Sequence, residues 1–250
     1  MSDPLQLVVL GGIAGPIYQQ MMEFVSAILG HEDKSPGKLL GTFCNEQIHN
    51  VRAVFEKSTL IALDIGYTPQ QVKNSVLVPL ISGASLADVE YLQTTWANML
   101  ANAADPRTPG FVEPSFPTIL KDLTSREVRF LDALFTALRS EGGAHTFPTA
   151  DVQLLEHNLK KIFDKAGLSE VPMSAQPVPP GEIHGEYMVE ADRMGFYMCM
   201  DTVIRNRLLA PRVQTHSHDA LTASGQAFET YSLTALGRTF IRACQPPPKS

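Results

Sequence analysis

The sequence predicts a mainly α-helical protein in which an N-terminal helical bundle precedes a winged-helix-like C-terminal module with a small β-hairpin. Apolar residues recur at helical spacing along most of the chain, and glycine or proline ends most of these stretches. Two short β-prone segments near the C-terminus lie between helical patterns, in the order typical of a winged helix. The 250 residues, 44% of them hydrophobic, are enough to bury a sizeable core.

Three helices are predicted before residue 85. Apolar stripes mark Ile17–Leu29 and Leu39–Ile65 as the first two. Thr68 is a suitable N-cap and Pro69 a suitable first helical residue, so the third helix is expected to begin there. Pro79 lacks a backbone N–H group and is expected to kink or shorten this third helix.

A capping box and an apolar face predict the fourth helix. Ser85 is expected to cap it together with Asp88. Trp96 lies in the middle of the apolar stripe, which predicts a core position for its ring. The prolines between Ala104 and Gly110 prevent a helix there, so the N-terminal helical region is predicted to span residues 1–110.

Helical patterns resume in residues 111–250, the predicted winged-helix-like region. Amphipathic patterns predict helices over residues 114–123, 124–138 and 148–167. Residues 171–181 contain four prolines and are expected to form an extended linker.

The C-terminal segment gives the winged-helix order. Tyr187–Leu209 is predicted to be a long helix, and its part from Met194 to Leu209 lies in the position of a recognition helix. Val213–His218 and Phe228–Leu233 are the predicted strands of the hairpin. Thr234 is expected to cap a closing helix, Ala235–Cys244.

Charge is unevenly distributed along the chain. The formal net charge is -6, whereas residues 193–250 carry seven basic and three acidic side chains. The acidic balance argues against a protein that coats nucleic acid with its whole surface, but it leaves DNA binding by the basic segment open. Arg205, Arg207 and Arg212 are the candidate nucleic-acid-binding residues, as contacts to phosphates or bases.

The sequence has no Walker loop and no G-x-S-x-G or H-E-x-x-H motif, so no catalytic residue, metal or cofactor is predicted and an enzyme is not expected. Three weaker patterns favour structural interpretations. The glycine turn at residues 11–15 lacks the first glycine of the dinucleotide fingerprint. Glu46 and His49 give one Glu-x-x-His motif where a di-iron site needs two. His216 and His218 fit a solvated wing better than a metal site.

Cys44, Cys199 and Cys244 are widely spaced and are expected to be reduced thiols of a cytoplasmic protein. The N-terminus predicts neither a signal peptide nor a membrane span, because polar residues soon interrupt its apolar run. We expect no stable membrane association. Self-association through the first predicted helix is left open, since soluble proteins commonly form two-fold oligomers.

Two stretches carry a specific motif: LADVEYLQTTWANMLANAADP, residues 86–106, and EPSFPTILKDLTSREVRFLDAL, residues 113–134. They resemble the abortive infection alpha (Abi-alpha) family. The matching residues are Leu92, Gln93, Trp96, Ala97, Leu100, Ala101, Asn102, Ala103, Asp105, Pro106, Pro114, Ser115, Phe116, Ile119 and Leu120. The stretch from Leu233 to Phe240 is similar to the closing part of the family pattern. Glu113 stands where that pattern has a histidine.

The resemblance implies a bacterial protein of antiviral defence and carries over no catalytic residue. Physically, small residues such as Ala97 and Ala101 also suit close helix packing, and Asp105 with Pro106 suits a helix end, so the motif favours a structural role. Two functions follow as hypotheses. The first is a non-enzymatic defence protein that binds a macromolecular partner, expected to be a protein. The alternative is a DNA-binding regulator that uses the winged-helix-like module.

Overall fold

A computed structural model describes residues 23–25, 27–28, 45–141, 153–169, 185–212 and 230–249 of the chain. The helices are α1 (Asn45–Ile65), α2 (Asn74–Ala84), α3 (Glu90–Ala104), α4 (Ser115–Asp122), α5 (Ser125–Glu141), α6 (Glu156–Lys165), α7 (Gly185–Arg205) and α8 (Ala235–Ala243). The strands β1 (Gln153–Leu155), β2 (Leu209–Arg212) and β3 (Thr230–Leu233) form an antiparallel sheet in the order β1-β3-β2. The predicted mainly α-helical class with a small sheet is confirmed.

The chain divides into two compact units. The first contains the described residues up to Ser125 and from Arg242 onward, and the second is Arg126–Ile241. The division differs from the boundary predicted at residue 110, because α4 packs against α2 within the first unit. The predicted linker near residues 171–181 and the predicted helix at residues 17–29, apart from its positions 23–25 and 27–28, lie outside the described residues.

Close packing of α1 against α3 forms the centre of the first unit. Ala97 and Ala101 of α3 are fully buried, and their small side chains let the helices approach closely. The Ser58 hydroxyl of α1 donates to the Ala97 carbonyl at 3.1 Å and to the Val54 carbonyl at 2.7 Å. A buried hydroxyl costs free energy unless it is hydrogen-bonded. The Ser58 hydroxyl hydrogen is shared between the Val54 carbonyl of its own helix and the Ala97 carbonyl of α3.

The ring of Trp96 fills the space between α2 and α3. Trp96, the one tryptophan of the chain, is 3% exposed, which confirms its predicted core position. The ring lies directly over Gly83 of α2, where an added Cβ atom would collide with its six-membered part. Glycine at residue 83 is therefore required by this ring, although glycine is a poor helix former.

The third helix begins later than predicted. Thr68 and Pro69 do not open it; α2 starts at Asn74. The backbone N–H groups of Gln70 and Val72 donate to carbonyls outside the helix, those of Ala104 at 2.8 Å and Ile28 at 3.1 Å. These bonds hold the segment out of the helix. Pro79 lies inside α2, which continues to Ala84, so Pro79 does not shorten the helix, whereas the alternative of a kink stays a prediction.

The predicted capping box of the fourth helix is also wrong. Ser85 ends α2 instead, because its hydroxyl donates back to the Ser82 carbonyl at 2.8 Å and its N–H group to the Ile81 carbonyl at 2.9 Å. The next helix, α3, begins at Glu90 after Val89, without a side-chain cap. Ser85 suits either role from sequence, and the bonds to α2 decide between them.

An aromatic cluster joins three helices of the second unit. Phe130 of α5, Phe163 of α6 and Phe196 of α7 are all buried. The ring centroids of Phe130 and Phe163 are 6.0 Å apart, and those of Phe163 and Phe196 are 5.5 Å apart, both in edge-to-face geometry. Such pairs add specific orientation to the burial of large apolar rings.

The sheet changes two predicted helix boundaries. Residues 153–155 were expected to be helical, but Leu154 pairs with Tyr231 of β3, so the helix begins only at Glu156. The helix predicted to reach Leu209 ends at Arg205, because residues 209–212 pair with β3 as β2. In both cases strand pairing with a segment distant in sequence overrides the helical pattern.

Two further elements predicted near the C-terminal end are confirmed where they are described, namely part of one strand and a helix cap. Residues 230–233 of the predicted second strand form β3, whereas Val213–His218 lies outside the described residues. Thr234 caps α8 as predicted, since its hydroxyl oxygen accepts from the Gly237 N–H group at 2.8 Å. The winged-helix assignment itself stays a prediction.

Across the described ranges, no helix combines the length and apolar character needed to cross a bilayer.

Replacing Gly83 by Ala should lower the free energy of unfolding by about 1–3 kcal/mol, because the new methyl group overpacks against the buried Trp96 ring. The measurement is urea denaturation followed by far-UV circular dichroism. Ser82→Ala in the same helix adds no Cβ atom and is the control. In a Trp96→Phe background the penalty of Gly83→Ala should shrink; an undiminished penalty would show that the ring is not its cause.

Candidate functional site

Two asparagines of α3, of which Asn102 belongs to the motif, bind the C-terminal segment of the first unit. The Asn98 side-chain amide donates to the Cys244 carbonyl at 2.9 Å. The Asn102 amide donates to the carbonyls of Ala243 at 3.1 Å and Gln245 at 2.7 Å, and also to the Asn98 carbonyl at 2.9 Å. Both asparagines are buried. Carbonyls at a helix end have no partner within the helix, and these two amides supply one.

An ion pair fixes the chain where α3 ends. The Asp105 carboxylate accepts from the Arg107 guanidinium through Nη2 at 2.7 Å and Nε at 2.9 Å, and from the Arg107 backbone N–H group at 2.9 Å. Only 1% of the Asp105 side chain is exposed, against 34% for Arg107. The carboxylate is therefore satisfied inside the protein, and the paired contact fixes the direction of the loop that follows.

Arg107 shifts the ionisation of Asp105. Burial by itself would raise the pKa of the Asp105 carboxyl, but hydrogen bonds and the positive charge of Arg107 outweigh it and hold the pKa below the usual value of 3.8. The pKa of Tyr67 is raised, first by burial and then by the negative charge of Asp105, with Arg107 opposing the shift. Both groups keep their ordinary charge at neutral pH.

Arg107 also connects Tyr67 and the C-terminal segment. Its guanidinium lies 5.5 Å from the centroid of the Tyr67 ring and donates through Nη2 to the Pro248 carbonyl at 3.1 Å. The Tyr67 hydroxyl donates to the Ala101 carbonyl at 2.7 Å. Lys249 forms an exposed ion pair with Asp64 at 2.8 Å. The polar groups around the motif thus make contacts that stabilise the first unit.

A family model described as "Abortive infection alpha" matches residues 52–244, which include α3 and the segment that its asparagines bind. The chain belongs to the abortive infection alpha family. Membership associates the protein with abortive-infection defence. No curated protein and no solved structure matches the chain.

The closing part of the abortive infection alpha match also has a structural explanation. Besides capping α8, Thr234 donates from its hydroxyl to the Arg207 carbonyl at 2.7 Å. A Cβ atom on Gly237 would collide with the backbone of Leu208, the residue before β2. Only glycine therefore lets α8 lie this close to the start of β2. Phe240 is 1% exposed and anchors the helix in the core.

The candidate nucleic-acid-binding residues lie at the end of α7, in the turn that follows it, and at the far end of β2. Arg205 ends α7 and is exposed, and Arg207 is exposed in a left-handed backbone conformation with φ 58°. Arg212 ends β2 and is partly exposed. Arg205 and Arg207 lie beside the end of α7, Arg212 lies at the other end of β2, and the proposed role of all three stays a prediction.

The weaker sequence candidates do not form a site in the described residues. Glu46 and His49 are exposed on α1. Burial raises the pKa of the Cys199 thiol, with a further increase from Glu127 and an opposing effect of Arg126, so the thiolate form is disfavoured. Within the described ranges no group of three candidate ligands is suitably placed for a metal ion. Cys44, His216 and His218 lie outside these ranges.

Sequence analysis missed one surface, which we call the α7 outer face: Met194, Tyr197 and Met198. These side chains are 57%, 45% and 59% exposed. They lie three and four residues apart, so they adjoin on one side of α7. The sequence does contain a sign of this surface, because the apolar residues of α7 cover two sides of the helix and only one side can face the core of the protein.

Replacing Asn102 by Ala should lower the free energy of unfolding by about 1–3 kcal/mol, because buried carbonyls of the C-terminal segment lose their donor. Thermal and urea unfolding measure this loss. Asn74→Ala, at an exposed position of α2, is the matched control and should change little. Equal stability of the two variants would contradict the assigned role of Asn102.

Acid should weaken the first unit through Asp105. Its pKa is lower in the folded than in the unfolded chain, so its stabilising contribution is complete above about pH 4 and is lost as the pH falls through the folded value. Asp105→Asn should flatten the dependence of unfolding free energy on pH below pH 4, relative to the natural chain. Asp122→Asn, at an exposed site, should leave that dependence unchanged. An identical slope in all three proteins would refute this assignment.

Proposed function

We propose that this protein is a non-enzymatic defence protein that acts by binding a protein partner through the α7 outer face. Family membership supports the defence role. The exposure of three large apolar side chains on one helix carries the proposed mechanism. Contiguous exposed apolar surface rimmed by polar residues is typical of interaction sites, and Met and Tyr are enriched in interfaces.

The opposite side of α7 shows that the helix is already anchored without these residues. Phe196, Cys199 and Met200 are each at most 2% exposed. The α7 outer face therefore contributes little to the described core, and removing its apolar groups should leave the fold intact. Substitutions on the α7 outer face should therefore change binding without changing the stability of the protein.

Tyr197 is held in position before any partner binds. Its hydroxyl donates to Glu156 Oε1 at 2.7 Å, and its ring centroid lies 5.5 Å from that of Phe196. A side chain that is already restrained loses less conformational entropy on binding. Tyrosine in this state is typical of residues that dominate binding energy.

The residues on the outer side of α7 favour a protein partner over a DNA partner. Asp201 follows Met198 by three residues and is exposed, so a carboxylate stands where a recognition helix would meet phosphates or base edges. Exposed methionines offer bases no hydrogen bonds. A partner protein with apolar side chains on its surface therefore matches Asp201 and the exposed methionines better than DNA does.

DNA binding remains the second candidate, because Arg205 and Arg207 are exposed beside the end of α7. Binding of random and upstream duplexes over a salt series tests it. If DNA binding is the function, Arg205→Gln with Arg207→Gln should weaken binding and reduce the salt slope by about two. Absence of binding even at low salt would exclude this candidate.

Replacing Met194 and Met198 together by Gln should abolish phage protection while leaving the melting temperature nearly unchanged. Removing two contacts of an interface centre weakens binding by about tenfold or more. Plaque counts on cells that express each variant at equal level give the measurement. Leu60→Gln with Leu63→Gln is the matched control, since these α1 leucines are 48% and 47% exposed and three residues apart.

Two results would contradict the proposal. Full protection by the stable Met194 and Met198 double variant would exclude the α7 outer face. No protection by the natural chain against a broad phage panel, with the protein folded and expressed, would exclude the defence role.

A further inference from the structure

We propose that the first unit binds a small organic carboxylate in a cavity that no comparison assigns to a ligand. We call it the Lys73 cavity. Its lining residues are Gln70, Gln71, Val72, Lys73, Val76, Ala103, Pro109, Gly110 and Val112. All of them belong to the first unit, so the site does not depend on the proposed function of α7.

The size of the cavity restricts its ligand. Its volume is about 210 Å³ and it opens to solvent. A cavity of about 150 Å³ accommodates benzene, whereas drug-sized ligands occupy about 300 Å³ or more. The Lys73 cavity therefore fits a molecule of roughly ten non-hydrogen atoms and is too small for a whole nucleotide.

The charged residue among those that line the cavity is basic, namely Lys73. No acidic residue is among those that line it. In the described part of the chain, Lys73 takes part in no ion pair. Asp105, which the same segment reaches through Gln70, has its carboxylate oxygens taken by Arg107. An anionic ligand would neutralise the Lys73 ammonium without displacing an existing partner.

The other side of the cavity is apolar. Val72, Val76 and Val112 are 3%, 4% and 4% exposed, and Ala103 and Pro109 complete this wall. Water next to these groups gains few hydrogen bonds, so an apolar body that displaces it lowers the free energy. Inorganic phosphate, which is strongly hydrated on every side, does not match this wall.

The two walls are joined before any ligand binds. Gln70 connects them twice, with its backbone N–H group donating to the Ala104 carbonyl at 2.8 Å and its side-chain amide to the Asp105 carbonyl at 3.1 Å. The ion pair of Asp105 with Arg107 then sets the course of the loop to Gly110, whose φ of 77° makes the turn. Such a preformed cavity does not need to be ordered by its ligand.

Isothermal titration of the full chain with benzoate tests the proposal, with benzamide as the neutral probe of the same shape and inorganic phosphate as the bare anion. Benzoate should bind with a dissociation constant of about 1 mM or below, and both other probes at least about tenfold more weakly. Lys73→Met should weaken benzoate binding at least about tenfold. Lys121→Met, at an exposed site on α4, is the control and should bind benzoate normally.

A second variant locates the site. Ala103→Leu places a larger side chain in the cavity and should block benzoate without affecting the charge of Lys73. The melting temperature of each variant checks folding, and Lys73 is exposed, so Lys73→Met should fold normally. No binding of benzoate at about 10 mM, equal binding of benzamide, or unchanged binding by folded Lys73→Met would overturn the proposal.

Discussion

Two buried asparagine amides on α3 determine how the first unit is closed. Asn98 and Asn102 donate to backbone carbonyls that are 141 to 146 residues away along the chain. Because they bind carbonyls rather than side chains, the contact depends on the path of the C-terminal segment and hardly on its sequence. The first unit thereby includes the last residues of the chain. Arg107 extends the same contact to Pro248, and Lys249 adds an exposed ion pair.

These contacts indicate that residues of the family motif have structural roles. Trp96 fills the space over Gly83, Asn102 binds the C-terminal segment, and Asp105 pairs with Arg107. Each of these residues makes its described contacts inside the unit. These three residues of the motif therefore describe how the unit is built.

The proposals about function depend instead on one exposed helix face and one cavity. The α7 outer face exposes large apolar side chains on a helix whose other side is buried. The Lys73 cavity combines an ammonium group with an apolar wall in the other unit. Exposed apolar surface is more costly in water than polar side chains would be, which is the physical argument for a binding role of the α7 outer face.

The sequence by itself determined the helical class, the small sheet, the core position of Trp96, the Thr234 cap and the family, because periodicity, caps and motif spacing are local properties. Tertiary structure alone decided where α2 and α3 begin, that residues 153–155 pair with β3, and which side of α7 is buried. It also decided that the two asparagines bind the C-terminal segment. These features depend on hydrogen bonds and packing between residues far apart in the chain. A Ser that could begin one helix or end another, or an apolar face that could be core or surface, is settled only when its distant partner is in place.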